Sequence, residues 1–478
     1  MNLSENLKKS IVSHIEEISK KNENIISTTI VGSFLKSKKI ESISDIDIVI
    51  IVKDLNEDNF NEIINSYQNI KSTSIGLEGY EVFVNSTFGP LKFNSNKKIV
   101  FHVMIYDING HIEHVEQSPF TCHSWENFKQ IHGLSLKEVY PVFNLQLDDI
   151  ITSRRGILSY LDDIEKGSIT YRKYKFFKKA PQIAKEKHKL DLKHKLEYSY
   201  HITFNLLNNF YKIITRDIES LNDQELINFF LSHKLIPIEN ISFYEELFKW
   251  KKRRGNPPQN LIENTRKFIL DFFSSIDKIK NLSTISSFRR HQRTDLNDGT
   301  FLGSKRDPSI IKISKKLSDF KYQIGYHSEL KRSKETIIHF ETDKLIETHL
   351  LNEINYGLAE GLNVNQLHEK FPNIILEWEK GHDPNFPEGE NQKEVLTRAK
   401  SFLTNMLNPN INSVVITHLV VLRMFLFYFL NLNFDSLYKM KIDHLEGFDI
   451  FSYNRLKSIH IDEGIRSKIR EQLSLIYG

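Results

Sequence analysis

Arg290-His291-Gln292-Arg293-Thr294-Asp295-Leu296-Asn297 follows the apolar stretch Leu282 to Phe288 and decides how the second half of the chain is read. An apolar run that stops at an Arg-His pair leaves a histidine at a strand end with a cation beside it. An imidazole so placed is suited to accept a phosphoryl group, splitting one hard displacement into two easier ones. Three later segments supply what such a site needs: Ser328-Glu329-Leu330-Lys331-Arg332, Asn352-Glu353-Ile354-Asn355-Tyr356-Gly357 and Val414-Val415-Ile416-Thr417-His418. Phosphoryl transfer asks a protein mainly for positioning and for neutralising the equatorial oxygens. Arginine forks do this well, because their planar donors match phosphate geometry.

In order and spacing, the four segments resemble the histidine phosphatase (phosphoglycerate mutase-like) superfamily over residues 279–478. The resemblance implies a three-layer α/β fold and assigns roles. His291 becomes the nucleophile, Arg290 and Arg332 grip phosphate oxygens, Asn297 adds a phosphate contact, and His418 completes the anion pocket. Glu353 stands where the family places its proton donor for the leaving oxygen. It would then activate water to break the phosphohistidine. No metal is implied for this chemistry. Mutases and phosphatases share these residues, so mutase activity stays open. The chain departs from the family at Gln292 and Leu419, where Gly is usual and lets backbone approach a ligand. Phe386-Pro387-Glu388-Gly389-Glu390 resembles a family loop in which Glu390 supports the site rather than reacts.

A second signature lies near the N-terminus. Leu7, Ile11, Ile15 and Ile18 recur at helical spacing. The β-rich run Ile25 to Val31 follows, then Gly32-Ser33, eleven further residues, and Asp45-Ile46-Asp47 opening an apolar strand to Val52. Residues two apart on a strand share a face, so Asp45 and Asp47 together offer a hard oxygen site for Mg²⁺ with a triphosphate. Gly32 and Ser33 offer donors to phosphate oxygens. The arrangement resembles the polymerase-β-type nucleotidyltransferase superfamily over about the first 110 residues. That family usually adds a third carboxylate on a neighbouring strand. The strand Ile99 to Asp107 has none at its centre, which leaves His102 or Asp107 as the tentative base. Glu78 and Glu81 are weaker candidates.

Composition sets bounds on both readings. The 478 residues exceed one ordinary core, and 40% hydrophobic with 26% charged residues is a soluble globular composition. A formal charge of +4 is too small at this length to argue for bulk nucleic-acid binding. The single cysteine, Cys122, excludes an internal disulfide framework and fits a reducing cytoplasm. The N-terminus shows no signal-peptide core, and Leu419 to Leu432 is too short to span a bilayer and contains Arg423. A soluble cytoplasmic protein without a membrane partner is expected. Residues 116–278 read as helical, with a clean 3-4 spacing from Leu192 to Ile214 and a break at Gly255-Asn256-Pro257-Pro258. Lys166 to Lys195 holds eleven Lys or Arg against two acids, with Tyr171, Tyr174, Phe176 and Phe177 interleaved. That mixture suits a solvated helix face, or a triphosphate or single-stranded nucleic acid.

The expectation is a multidomain α/β protein: an α+β nucleotidyltransferase sheet at 1–115, a helical domain at 116–278 and a histidine phosphatase domain at 279–478. It would transfer a nucleotide from a nucleoside triphosphate to a small acceptor and hydrolyse a small phosphorylated metabolite. Two alternatives stand beside it. In one the N-terminal half is a nucleotide-binding regulatory module and only the phosphatase turns over. In the other the transferase modifies RNA or protein.

Overall fold

The computed structural model describes residues 3–35, 45–88, 98–253, 258, 260–432, 440–454 and 456–474. They fall into two compact units, one of residues up to Leu145 with Asp149–Ser275, the other of Gln146–Asp148 with Ile276–Leu473. Most of the expected break at Gly255-Asn256-Pro257-Pro258, and most of the polar loop before Asp45, lie outside the described residues. Among the described residues no helix is long and apolar enough to cross a membrane.

The first unit is built on β1 (Ile25–Val31), β2 (Ile46–Val52), β3 (Glu81–Asn85), β4 (Lys98–Asp107) and β5 (Gln130–Gly133), in the order β3-β4-β2-β1-β5. β2 and β4 run parallel at its centre, and β1 pairs antiparallel with β2. Central strands covered on both faces read as continuous Ile and Val rather than as alternation. Ile11 and Ile15 of helix Leu3–Lys21 and Phe60 and Ile63 of helix Glu57–Gln68 pack on one face, and Leu136 and Val139 pack with Val49 and Ile51 on the other.

The stretch 116–278 is not helical throughout. β5 joins the sheet beside β1, and the basic aromatic run forms a hairpin, β6 (Ser168–Phe177) with β7 (Ala180–Lys189). Lys178 and Lys179 turn it with φ 48° and 66°, the doubly left-handed geometry that matches strand twist in a two-residue loop. Tyr174 and Phe176 point from one face of the hairpin onto Phe60, at 5.8 and 5.2 Å between ring centres. A helix face had been the expectation for those charges; alternation of aromatic and charged residues at period two favours a strand instead. The helices Leu192–Thr215, Asp223–His233 and Ile238–Arg253 follow the expected periodicity.

In the second unit, β8 (Thr284–Arg290), β9 (Lys321–His327), β10 (Glu341–Glu347), β11 (Ser413–Thr417), β12 (Gly447–Tyr453) and β13 (Leu456–His460) form one sheet, ordered β10-β9-β11-β8-β12-β13. The first four strands in that order are mutually parallel, and β12 and β13 close the edge antiparallel. Helix Leu419–Leu430 buries Val421, Leu422 and Phe425, the apolar run expected to be a buried helix rather than a span.

Phe288 on β8 is fully enclosed, 4.8 Å from the ring of Phe425 and 5.3 Å from that of Phe448. Phe288→Ala should lower the stability of this unit by about 3–5 kcal/mol, the usual cost of a large aromatic cavity. Denaturant unfolding followed by a probe in this unit measures it; a loss below about 1 kcal/mol would mean that the strand is not the centre of the core.

Candidate active site

Parallel strands bring their carboxyl ends to one edge, and a sheet of this kind gathers its ligands there. β8 ends at Arg290 and β11 at Thr417, so His291 and His418 emerge side by side, with ring centres 4.9 Å apart. The His291 N–H donates to Thr417 O at 2.9 Å, which locks the two strand ends together. β9 leads into helix Lys331–Ile337, whose second residue is Arg332. β10 leads into the loop bearing Glu353, tied back to β11 where Thr417 Oγ1 donates to Leu351 O at 2.8 Å.

His291 is buried, and its Nδ1 lies 2.6 Å from Gln292 O. A carbonyl only accepts, so Nδ1 carries the proton and the lone pair sits on Nε2. Arg332 Nε lies 3.3 Å from that Nε2. The rest of the guanidinium is held from behind: Nη1 donates to Arg306 O and Asp307 Oδ1 at 3.0 and 3.1 Å, and Nη2 to Gly303 O at 2.6 Å. Arg290 donates through Nη1 to Ile442 O at 2.7 Å, while its Nε is buried and without a partner among the described residues. His418 Nε2 is 2.7 Å from Ser328 Oγ, and its Nδ1 is likewise buried and unpartnered. Arg290 and Arg332 line the cavity in front of His291, and His418 stands behind it, fully buried.

Burial pushes the His291 and His418 imidazoles well below the ordinary range, and the Arg332 charge pushes them the same way. Burial also lowers both arginines, against the opposing pull of the Glu353 carboxylate; arginine nonetheless stays cationic at any working pH. Glu353 is buried and accepts from Ile354 N at 3.0 Å and from Val420 N at 3.3 Å, the first turn of helix Leu419–Leu430. A helix N-terminus favours negative charge there.

Asn297 lines the same cavity of about 570 Å³, and its Oδ1 fixes the loop by accepting from Thr294 N at 2.7 Å. Gln292 and Leu419 are absent from the positive-φ residues, so the backbone conformation at neither position calls for glycine. Glu390 braces the loop, accepting from Asn355 N at 2.9 Å and from Arg398 Nε at 3.2 Å.

His444 was not singled out in the sequence. Its Nδ1 donates to His291 O at 2.9 Å, and burial, followed by the Arg290 charge, holds its pKa down to about 4. A lone His in a loop before β12 has no fixed spacing that would have marked it. Ser328, at the end of β9, carries no motif spacing that marks it as a partner of His418.

In the first unit, Asp45, Asp47 and His102 can present ligand atoms within 4.8 Å of one another. The parallel register sets Asp47 opposite His102. Gly32, at φ +75°, ends β1 so close that a Cβ would lie 2.4 Å from Asp47 Oδ2, and Ser33 next to it is exposed. His102 Nδ1 is 2.8 Å from Asp47 Oδ1 and Nε2 is 2.7 Å from Thr87 O. Both neighbours are acceptors, so both nitrogens donate and the ring is an imidazolium. Burial opposes this, but the Asp47 bond and charge raise the His102 pKa. As arranged, His102 offsets the Asp47 charge and has no lone pair with which to act as a base. Asp107 is not brought to the pair. It stands five residues along β4, opposite Val52, and caps the following helix by accepting from Gly110 N at 2.7 Å.

Residues 290–457 match the model of the histidine phosphatase superfamily (branch 1). This segment is a histidine phosphatase domain. Phosphoserine phosphatase 1 of Hydrogenobacter thermophilus is 28% identical over 148 residues, which cover 28% of this chain and 70% of that protein. The 2,3-bisphosphoglycerate-dependent phosphoglycerate mutase of Bartonella henselae is 27% identical over 139 residues, 26% of this chain and 68% of its own. Among solved structures, a mycobacterial glucosyl-3-phosphoglycerate phosphatase aligns over 38% of this chain and 97% of its own, with 15% identity and a TM-score of 0.32.

Imidazoles that are neutral in the folded histidine phosphatase domain but charged when unfolded bind fewer protons in the native state. Stability should therefore fall as pH drops below about 6.5 toward the depressed native values. Imidazole NMR should show His291 and His418 still untitrated where an ordinary histidine passes its midpoint near pH 6.5. A midpoint near 6.5 for His291 would contradict the buried, cation-flanked geometry.

Proposed function

We propose that the second unit is a phosphomonoesterase working through a phosphohistidine on His291. The observation carrying this is Arg332 Nε, 3.3 Å from the His291 Nε2 lone pair, with the His418 ring centre 4.9 Å from that of His291 and two further buried nitrogens, Arg290 Nε and His418 Nδ1, without partners among the described residues. Buried donors without partners are costly in a folded protein, and an anion with three equatorial oxygens relieves all of them at once.

The lone pair on Nε2 attacks phosphorus as the bond to the leaving oxygen breaks. Gln292 O keeps the Nδ1 proton in place and orients the ring. Arg290, Arg332 and His418 neutralise the phosphoryl oxygens, as the chemistry demands. Glu353 gives a proton to the leaving oxygen as that bond breaks. In the second half it takes a proton from water, whose oxygen displaces the histidine and releases inorganic phosphate. A phosphorylated small metabolite is the substrate class, in keeping with the phosphoserine phosphatase and mutase among the matched relatives.

His291→Ala should reduce phosphate release from an aryl phosphate, in buffer containing a chelator, to background. Loss of Arg332 or His418 should cost on the order of a hundredfold or more in kcat. Full turnover by His291→Ala would remove the assignment. Glu353→Gln should slow alkyl phosphates far more than aryl phosphates, because a good leaving oxygen needs little protonation. Equal losses for the two would mean that Glu353 only supports the loop.

A second activity rests on one specific observation, the convergence of Asp45 and Asp47 against the Gly32 turn. We propose that this carboxylate pair holds Mg²⁺ with a nucleoside triphosphate, for nucleotidyl transfer to a small acceptor. When bound, the cation would neutralise the phosphates. Gly32 and Ser33 would face the phosphate oxygens, and His102 would fix Asp47. Asp45→Asn combined with Asp47→Asn should abolish Mg²⁺-dependent triphosphate binding in calorimetry and leave phosphate release by the second unit intact. Binding equal to that of the parent would leave the first unit as a module without this site.

A further inference from the structure

The cavity in front of His291 is much larger than a phosphate and a short chain require. At about 570 Å³ it lies within the range, roughly 300–1,000 Å³, that encloses drug-sized ligands. Its far wall is aromatic. Phe301, Tyr356, Trp378 and Phe386 line it and touch one another, with Tyr356 and Phe386 at 4.8 Å, Phe301 and Tyr356 at 4.9 Å, and Trp378 and Phe386 at 5.6 Å between ring centres. Only Phe386 is buried; the other three are half-exposed, presenting ring surface to the cavity.

This wall stands on the leaving-group side, because Tyr356 follows the proton donor Glu353 by three residues in the same loop. The loop is fixed rather than adaptable. Gly357 sits at φ +56°, where a Cβ would lie 2.0 Å from Pro387 O, and Leu358 N donates to that same oxygen at 2.9 Å. The Glu390 brace to Asn355 and Arg398 pins the partner loop. A rigid aromatic surface suits a flat ring, which stacks without ordering flexible side chains.

A second, independent observation adds polarity. Gln392 lines the same cavity, is 4% exposed, and its Nε2 has no hydrogen-bond partner among the described residues. A buried amide left unpaired is rare enough in folded proteins to call for a ligand acceptor. A plain phenyl ring has none; a nitrogen heterocycle does.

We infer that the leaving group of the phosphomonoester carries a planar nitrogen-heteroaromatic ring, as a nucleoside 5′-monophosphate does, seated on the aromatic wall and hydrogen-bonded to Gln392. The inference rests on the assignment of His291 as the phosphoryl acceptor. It differs from a preference for short acidic phosphoesters, which would leave the wall and the amide uncontacted.

Ribose 5-phosphate tests it, since it has a similar leaving oxygen and no ring. Steady-state kinetics on the full chain should give nucleoside 5′-monophosphates a kcat/KM at least about tenfold above that of ribose 5-phosphate, mainly through KM; one stacked base is commonly worth that much. Trp378→Ala should reduce this ratio at least about fivefold. Gln392→Leu should raise KM for the nucleotides more than for phenyl phosphate, a split that a merely structural role would not produce. Equal kcat/KM for nucleotides and ribose 5-phosphate overturns the inference while leaving the phosphatase assignment standing. Failure to release phosphate from any of these substrates, p-nitrophenyl phosphate included, overturns that assignment and this inference with it.

Discussion

The second unit depends on one constraint: a buried imidazole must be kept neutral, with its lone pair facing out of the strand end, while two guanidinium groups are held beside it. Burial disfavours every charged form in this neighbourhood. The arginines remain charged because arginine cannot readily lose its proton, so the strain falls on the histidines, which stay neutral. Backbone carbonyls do the positioning. Gln292 O fixes the His291 tautomer, Gly303 O and Arg306 O hold Arg332, and Ile442 O holds Arg290. The cations are thus anchored by groups that do not compete for the inward-facing nitrogens. A dianion entering this space replaces water with donors already aimed, which is where most electrostatic catalysis originates. Parallel strand order is what lets residues so far apart in the chain meet, since β8, β9 and β11 are neighbours and end together.

How much of this was legible follows from the kind of signal each residue carries. His291 and His418 each follow a strand, Arg332 opens a helix and Glu353 lies in a loop, and their order along the chain resembles that of the histidine phosphatase superfamily. The strand before His418 was visible because a parallel central strand is a continuous apolar run, whereas β9 and β10 are mixed in polarity and carry no such signal. His444, Ser328 and Gln392 were not visible as site residues. His444 and Gln392 reach the cavity from a loop and a helix start, and Ser328 reaches His418 from the end of β9; neither sequence periodicity nor a motif spacing records that reach. The departures at Gln292 and Leu419 looked weightier in sequence than in structure, because only backbone angles reveal whether a glycine is needed.

In the first unit, the strands β1 and β2 and the Asp45–Asp47 pair follow from a strand-turn-strand pattern and period-two geometry, whereas the place of β5 in the sheet does not, since it lies in a stretch that reads as helical. Asp107 illustrates the limit of such reasoning. It shares a strand with His102, but five residues of rise take it away from the acid pair, on the order of 17 Å at the usual spacing per residue. The hairpin at 168–189 shows a different limit: a run rich in lysine has weak strand propensity, and the pairing is secured by the Lys178–Lys179 turn and by two aromatic rings that dock on Phe60. His102 is the more instructive residue. In sequence it reads as a base; with Thr87 O on one nitrogen and Asp47 on the other, both nitrogens are engaged and it pairs with Asp47.

The central claim is that His291 Nε2 becomes the phosphoryl acceptor, and trapping the intermediate tests it most directly. The full chain would be mixed with a ³²P-labelled phosphomonoester, quenched in alkali within milliseconds, and the label mapped by peptide sequencing. The account predicts an acid-labile, alkali-stable phosphohistidine on the peptide containing His291, decaying at a rate compatible with turnover. Label on a serine or on another histidine, or rapid phosphate release with no labelled protein at any time, would contradict it.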